Sequence, residues 1–207
     1  EKQLDEVRLQ MLKNQINPHF LFNTLNMIAS TAQIEDADTT EKMIHALSRL
    51  FRYNLKSTDS VMPLERELKV VQDYMYLQQM RFGQRIRYDT DCKPDTMEVL
   101  VPSFALQPLV ENAIIHGISP KGQGGRIHVR SWMEGRRLWI SVADTGRGMA
   151  QERLEEIRLA LARGEEKATG VGVGNIYRRV HGMYRDGEVF IYSSEGRGTV
   201  VQMAFTP

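Results

Sequence analysis

Residues 126–149 read RIHVRSWMEGRRLWISVADTGRGM. RIHVRSWM and LWISVAD have strand patterns, and EGRR between them supplies a turn, so the stretch predicts a β-hairpin. Trp132 and Trp139 then flank the turn as cross-strand partners. Working outward, RIRYDTD (85–91) alternates Ile86 and Tyr88 with polar residues, and GEVFIYSS (187–194) and GTVVQMAF (198–205) close the chain as two more strands. Helical patterns fall between them, at VPSFALQPLVENAIIHG (101–117), QERLEEIRLALARG (151–164) and NIYRRVHGMYR (175–185). Strand hairpins with helices on one face predict an α+β layer fold, and not a doubly wound α/β one.

Up to about Gly83 the pattern is helical instead. The opening EKQLDEVRLQMLKNQI (1–16) repeats apolar residues at three- and four-residue steps. A second helix is signalled at DTTEKMIHALSRLFRYNL (38–55), where Asp38 and Glu41 have capping-box spacing and Ile44, Leu47, Phe51 and Leu55 form a stripe. A third opens at Pro63 and stops at Gly83. The first two helices, joined by STAQIEDADTT (30–40), make a hairpin with a thin core, which predicts pairing with a second copy in a four-helix bundle. The expected division is 1–62 for the hairpin and 63–207 for a second domain, with 63–83 as a connecting helix.

The 207 residues carry 27 basic and 26 acidic side chains, a net charge of +1 that argues against nucleic acid as a partner. A single Cys excludes an internal disulfide, and no apolar run is long enough to span a bilayer. The chain begins at Glu1 within a helical pattern. It therefore reads as a fragment whose parent continues upstream, with any membrane segment there.

Four stretches carry potential chemistry. In NPHFLFN (17–23), Pro18 inside a helical pattern predicts a kink beside His19, whose neutral imidazole is a competent nucleophile toward phosphorus. Read alone, such a His is also a solvent-facing or core-satisfied one. In LVENAIIHG (109–117), Asn112 and His116 share a helix face, and an amide oxygen is a hard ligand that Mg²⁺ accepts beside water and phosphate. A helix cap or a buried polar bond would use the same residues. Asp144-Thr145-Gly146-Arg147-Gly148 ends a strand with an acceptor for an exocyclic amino group, although a plain β-turn has the same composition. Gly170-Val171-Gly172-Val173-Gly174-Asn175 leads into a helix and offers amides to phosphate, or is a flexible loop.

Taken in order, with the closing GRGT (196–199), these stretches resemble bacterial two-component sensor histidine kinases of the LytS/YesM-like group. The resemblance covers nearly the whole chain, including LSRLFRYNL and PLERELKVVQDYMYLQQMRFG. It implies a gyrase/histidine-kinase-type (Bergerat) ATP-binding sandwich with a mixed, mostly antiparallel sheet, preceded by a dimerising phosphoacceptor hairpin. It makes His19 the phosphoacceptor, Asn112 the Mg²⁺ ligand and Asp144 the reader of the adenine amino group. Gly146 and Gly148 shape that pocket, Gly170, Gly172, Gly174 and Asn175 lie beside the phosphates, and Gly198 and Thr199 lie near the base. Residues 149–169 stand where the family has its ATP lid. The implied cofactors are ATP and Mg²⁺, and the implied partners are a second copy and a response-regulator receiver domain that takes the phosphoryl group on an Asp.

Two departures matter. Phe20 follows the His where many histidine kinases have an acid, which leaves the base unassigned; Glu111 is either a base or structural. Ile115 precedes His116 where related sequences often have Lys, so a phosphate contact there falls to His116. Asn23, one turn after His19, could orient water for dephosphorylating a regulator. The rival readings are a degenerate nucleotide-binding scaffold and a gyrase-like ATPase. The second lacks its water-activating Glu, because Pro108 occupies that place.

Overall fold

The computed structural model describes residues 18–56, 60–163 and 171–207. The chain divides into two compact units, 1–58 and 59–207. The opening helical pattern, and hence the expected kink before Pro18, lies outside the described residues.

In the first unit, helix α1 spans Pro18–Ile34 and helix α2 spans Asp38–Lys56. STAQI thus continues α1, and the turn shrinks to Glu35-Asp36-Ala37, shorter than the linker expected from the sequence. The reversal is made by Asp36 at φ 53, with the Ala37 N–H bonded back to the Ala32 carbonyl at 2.7 Å. Leu25, Ala29 and Ala32 of α1 and Ala46 and Leu50 of α2 are buried. The small alanines let the helices approach closely, which shifts the covered stripe of α2 away from Ile44, Leu47, Phe51 and Leu55, all only half-buried. On α1, Phe20, Met27 and Ile34 stay exposed at 70%, 64% and 83%. They recur every seven residues and so form one apolar seam.

The second unit is a two-layer sandwich. Strand β1 (Val61–Pro63) leads into helix α3 (Leu64–Phe82), which ends at Gly83 with φ 64. Strand β2 (Ile86–Cys92) and the short β3 (Leu100–Pro102) precede helix α4 (Gln107–Asn112). The hairpin β4 (Gly125–Glu134) and β5 (Arg137–Asp144), helix α5 (Gln151–Ala162), helix α6 (Val171–Met183), β6 (Glu188–Ser194) and β7 (Gly198–Phe205) follow. The five-stranded sheet has the order β2-β4-β5-β7-β6, and every pair is antiparallel except β2–β4. A mixed, mostly antiparallel sheet is the expected one.

One sheet face carries Ile127, Val129, Leu138, Ile140, Met203 and Phe205, all fully buried against the helices. The other face carries the predicted Trp132–Trp139 pair, stacked at 5.8 Å, and Phe190 beyond it at 5.9 Å from Trp139. Strict alternation along each strand produces this division.

Two helical segments differ from the sequence reading. Residues 101–117 are not one helix: β3 pairs with β1, a turn follows at Ser103–Leu106, α4 starts at Gln107, and Ala113–Ile118 widens to a π-helix. Pro108 near the α4 N-terminus suits a start there, where its missing N–H is no loss. The glycine-rich run is also not a loop before α6, because Gly172 and Gly174 lie within the helix's first turns. Packing holds Gly172 in the helix despite its low propensity. A Cβ on it would collide with the Asn112 Nδ2 atom and lie 3.2 Å from the Pro108 carbonyl.

Candidate functional site

Among the described residues of the second unit, the sequence signals converge on one cavity of about 280 Å³. Its apolar walls come from α4 and the π-helical turn (Leu109, Ala113), from the sheet (Val142, Val201), from α5 (Ile157) and from α6 (Val173). Asn112, His116, Asp144, Arg147, Gly148, Arg153 and Thr199 supply its polar points. A flat, mostly apolar slot with a few converging polar groups suits a heteroaromatic ring bearing a hydrogen-bond donor.

Asp144 ends β5 with its carboxyl mostly buried. The Gly146 N–H donates to Oδ1 at 2.7 Å. Burial pushes the Asp144 carboxyl above the ordinary carboxylate range, and the N–H groups of Gly146 and Thr199 and the Lys121 charge pull it part of the way back. A Cβ on Gly117 would stand 2.7 Å from Asp144 Oδ1, and one on Gly146 would collide with the Gly117 backbone. Gly148, at φ 66, and Gly198, at φ 104, meet backbone as well: a Cβ on the first would strike the Ser194 carbonyl, and one on the second the Asp144 carbonyl. Ser193 ties this corner together. Its hydroxyl accepts from the Met149 N–H at 2.9 Å and donates to the Gly198 carbonyl at 3.0 Å, 2.9 Å from Thr199 Oγ1.

The other predicted positions divide. Glu111 does not line the cavity. It accepts from Gln107 Nε2 at 2.8 Å and faces Tyr74, whose hydroxyl is pushed up to about 12 by burial first and by the Glu111 charge second. Asn175 likewise turns aside and accepts from Arg178 Nη2 at 2.5 Å. Gly174 is buried within α6, and Gly170 lies outside the described residues. His19 belongs to the first unit, exposed in the opening turn of α1, with Asn23 Nδ2 at 3.2 Å from Nδ1 and 3.4 Å from Nε2.

Sequence reasoning gave no role to Gly117, Ser193 or the pocket walls Ile157 and Val173. Gly117 carried a signal, since it closes the ENAIIHG motif, but only the approach of β5 explains it. Arg179 of α6, although exposed, donates from Nη1 to the Ser103 carbonyl and lies over the Phe104 ring at 5.6 Å.

Comparison with known proteins gives this geometry its family. Residues 7–86 match the family profile described as histidine kinase, and residues 102–207 match that described as histidine kinase-, DNA gyrase B-, and HSP90-like ATPase. The chain belongs to the histidine kinase family. Among its relatives, the sensor histidine kinase YpdA of Escherichia coli K12 is 36% identical over 88% of this chain and 32% of its own length. The sensor protein LytS of Bacillus anthracis is 33% identical over 97% of this chain and 34% of its own. The chain spans about a third of the length of these curated relatives. Two solved structures share the fold. The histidine kinase domain of the Erythrobacter litoralis EL346 blue-light activated kinase has TM-score 0.51 at 19% identity, covering 96% of this chain and 94% of that one. The catalytic domain of the histidine kinase ThkA has TM-score 0.52 at 17% identity, covering 70% and 95%. Within this kinase fold, the cavity lies in the part matched by the ATPase profile, and ATP is the ligand class that goes with it.

The Asp144 environment makes a testable prediction. A carboxyl raised by folding contributes stability that is fully present below its unfolded value and is lost as pH rises through its folded value. At neutral pH the buried charge therefore costs stability. Asp144→Asn should raise the melting temperature of the ligand-free protein at pH 7. The gain should vanish below about pH 4, where aspartate is protonated in both states. Nucleotide affinity should fall in the same variant. Calorimetric melts at several pH values check the sign.

Proposed function

We propose that the chain is the kinase end of a two-component sensor, which transfers the γ-phosphoryl group of ATP to His19 and then to an aspartate of a receiver domain. The observation that carries this reading is the Asp144 cavity, with its buried carboxylate acceptor and glycine-lined floor, in the same chain as an exposed His on a helical hairpin.

The residues divide the work by chemistry. Asp144 accepts from the adenine amino group, while Thr199, Gly146 and Gly148 complete that end. Asn112 fits the metal: its carboxamide reaches the cavity, with Nδ2 turned toward Gly172 of α6. A neutral oxygen donor suits Mg²⁺, which keeps several waters and takes its charge balance from phosphate. When bound, Mg²⁺ neutralises charge on the triphosphate. His116 lines the cavity near Asn112, and the start of α6 lies beside Asn112 through Gly172, where a helix N-terminus favours an anion. Phosphoryl transfer needs alignment and charge neutralisation more than covalent help. The imidazole of His19 attacks phosphorus as the neutral base, the bond to ADP breaks, and the imidazole proton leaves to solvent or a base. The Glu111 carboxylate, held by Gln107 and facing Tyr74, has a structural role in this reading and not the base role. Asn23, within reach of the His19 ring, orients water for the phosphatase step. The Phe20–Met27–Ile34 seam is the surface for a second copy.

Three measurements test the reading. With γ-labelled ATP and Mg²⁺, the wild type should acquire acid-labile, base-stable label and His19→Gln none. Nucleotide binding without label would favour a scaffold, and phosphate release unaffected by His19→Gln would favour an ATPase. Asn23→Ala should autophosphorylate normally and lose the ability to strip phosphate from a receiver domain; equal stripping rates would remove Asn23 from that role. Met27→Glu should convert a dimer to a monomer in sedimentation, because two uncompensated carboxylates in an apolar seam cost several kcal/mol. A dimer that survives this change would be built on another surface.

A further inference from the structure

Glu67 is a carboxylate with no exposed surface, on the inner side of α3, well outside the nucleotide cavity. Its two oxygens take two successive jobs on one turn: Oε1 accepts from the Phe104 N–H at 2.9 Å and Oε2 from the Leu106 N–H at 3.0 Å. Between these bonds Phe104 sits at φ 60, a conformation rarely adopted by a bulky L-residue. From the other side, Arg179 of α6 holds the Ser103 carbonyl and covers the Phe104 ring. The turn is therefore gripped by α3 and α6 together, and a strained residue persists because the grip over-determines it.

What the turn delivers explains the grip. α4 begins at Gln107, immediately after Leu106, and Asn112 is its last residue. The far end of α4 meets α6 again, where Gly172 abuts the Asn112 carboxamide. A rotation allowed at the turn would pass along this short helix to the Asn112 side chain.

We infer that Glu67, with Arg179, is a positioning residue that sets the Asn112 carboxamide for the metal–phosphate end of the nucleotide. The inference rests on the nucleotide reading above and adds a specific cause for the position of its metal ligand. Glutamine is a poor substitute for Glu67, because its amide NH₂ must face one of the two backbone donors that the carboxylate now satisfies. The Asp144 end is held by close backbone contacts with Gly117, Gly146 and Gly198, none of which involves residues 103–106.

The test measures ADP binding by titration calorimetry in Mg²⁺ and again in EDTA. The ratio of the two affinities reports the metal–phosphate end, and the EDTA value reports the adenine end. In Glu67→Gln the ratio should fall about tenfold or more, with the EDTA affinity within about twofold of wild type and far-UV dichroism unchanged. A residue that merely held the fold would lower the melting temperature and leave the ratio alone, and that result would overturn the inference. Arg179→Leu removes the other half of the grip and should lower the ratio in the same way, so it decides the matter if Glu67→Gln fails to fold. Wild type that binds no ADP in EDTA would sink the adenine reading itself, and wild type whose ratio is one would sink the Asn112 metal role. Both results are distinguishable from a failure of Glu67 alone.

Discussion

Three backbone segments meet around Asp144 at distances that no side chain could share. Gly117 admits the carboxylate, Gly146 lies on Gly117, and Gly198 crosses the Asp144 carbonyl. Because these contacts replace side-chain packing, the end of β5, the π-helical turn and the start of β7 are fixed to one another almost at backbone contact. The carboxylate is consequently drawn out of water, and only backbone N–H groups and the distant Lys121 charge offset its desolvation. An acceptor held ready in this way costs stability while the cavity is empty and is matched when a donor arrives. This is the usual relation between a preorganised site and the fold that carries it.

The second constraint falls on Asn112. Asp144 sits on a central strand of the sheet, whereas Asn112 sits at the end of a short helix with a turn before it and a π-helix after it. π-Helical turns relax the local hydrogen-bond ladder and recur at functional sites. The Asp144 end of the cavity is thus built on a central strand, and the Asn112 end on a short helix whose placement comes from neighbours. The buried Glu67 carboxylate makes sense in that setting. An unpaired charge would be too costly there, and two backbone donors give it a reason to be buried.

The two units differ in how completely they satisfy themselves. The 59–207 unit closes its core with a sheet face and helices, and its outer face is covered by stacked tryptophans. The hairpin buries little more than a line of alanines and leucines. Its exposed Phe20, Met27 and Ile34 recur at heptad spacing, the pattern of a packing seam.

Much of this was legible in the residues alone. Period-two alternation located the five strands of the main sheet, and the ordered motifs around Asn112, Asp144 and the glycine run identified the family, because local pattern and motif spacing are properties of the chain. The rest depended on contacts between distant segments. Nothing near Glu67 in sequence reveals that its partners are Phe104 and Leu106, and Gly172 reads as loop until Asn112 is seen against it. Arg179 meets the Phe104 ring, 75 residues away in the chain. Glu111, a base or a structural residue by its motif, accepts from Gln107, and Asn175 accepts from Arg178, partners that the motifs do not reveal. A motif specifies which residues recur, and only the packing of helices on the sheet decides which way each side chain faces.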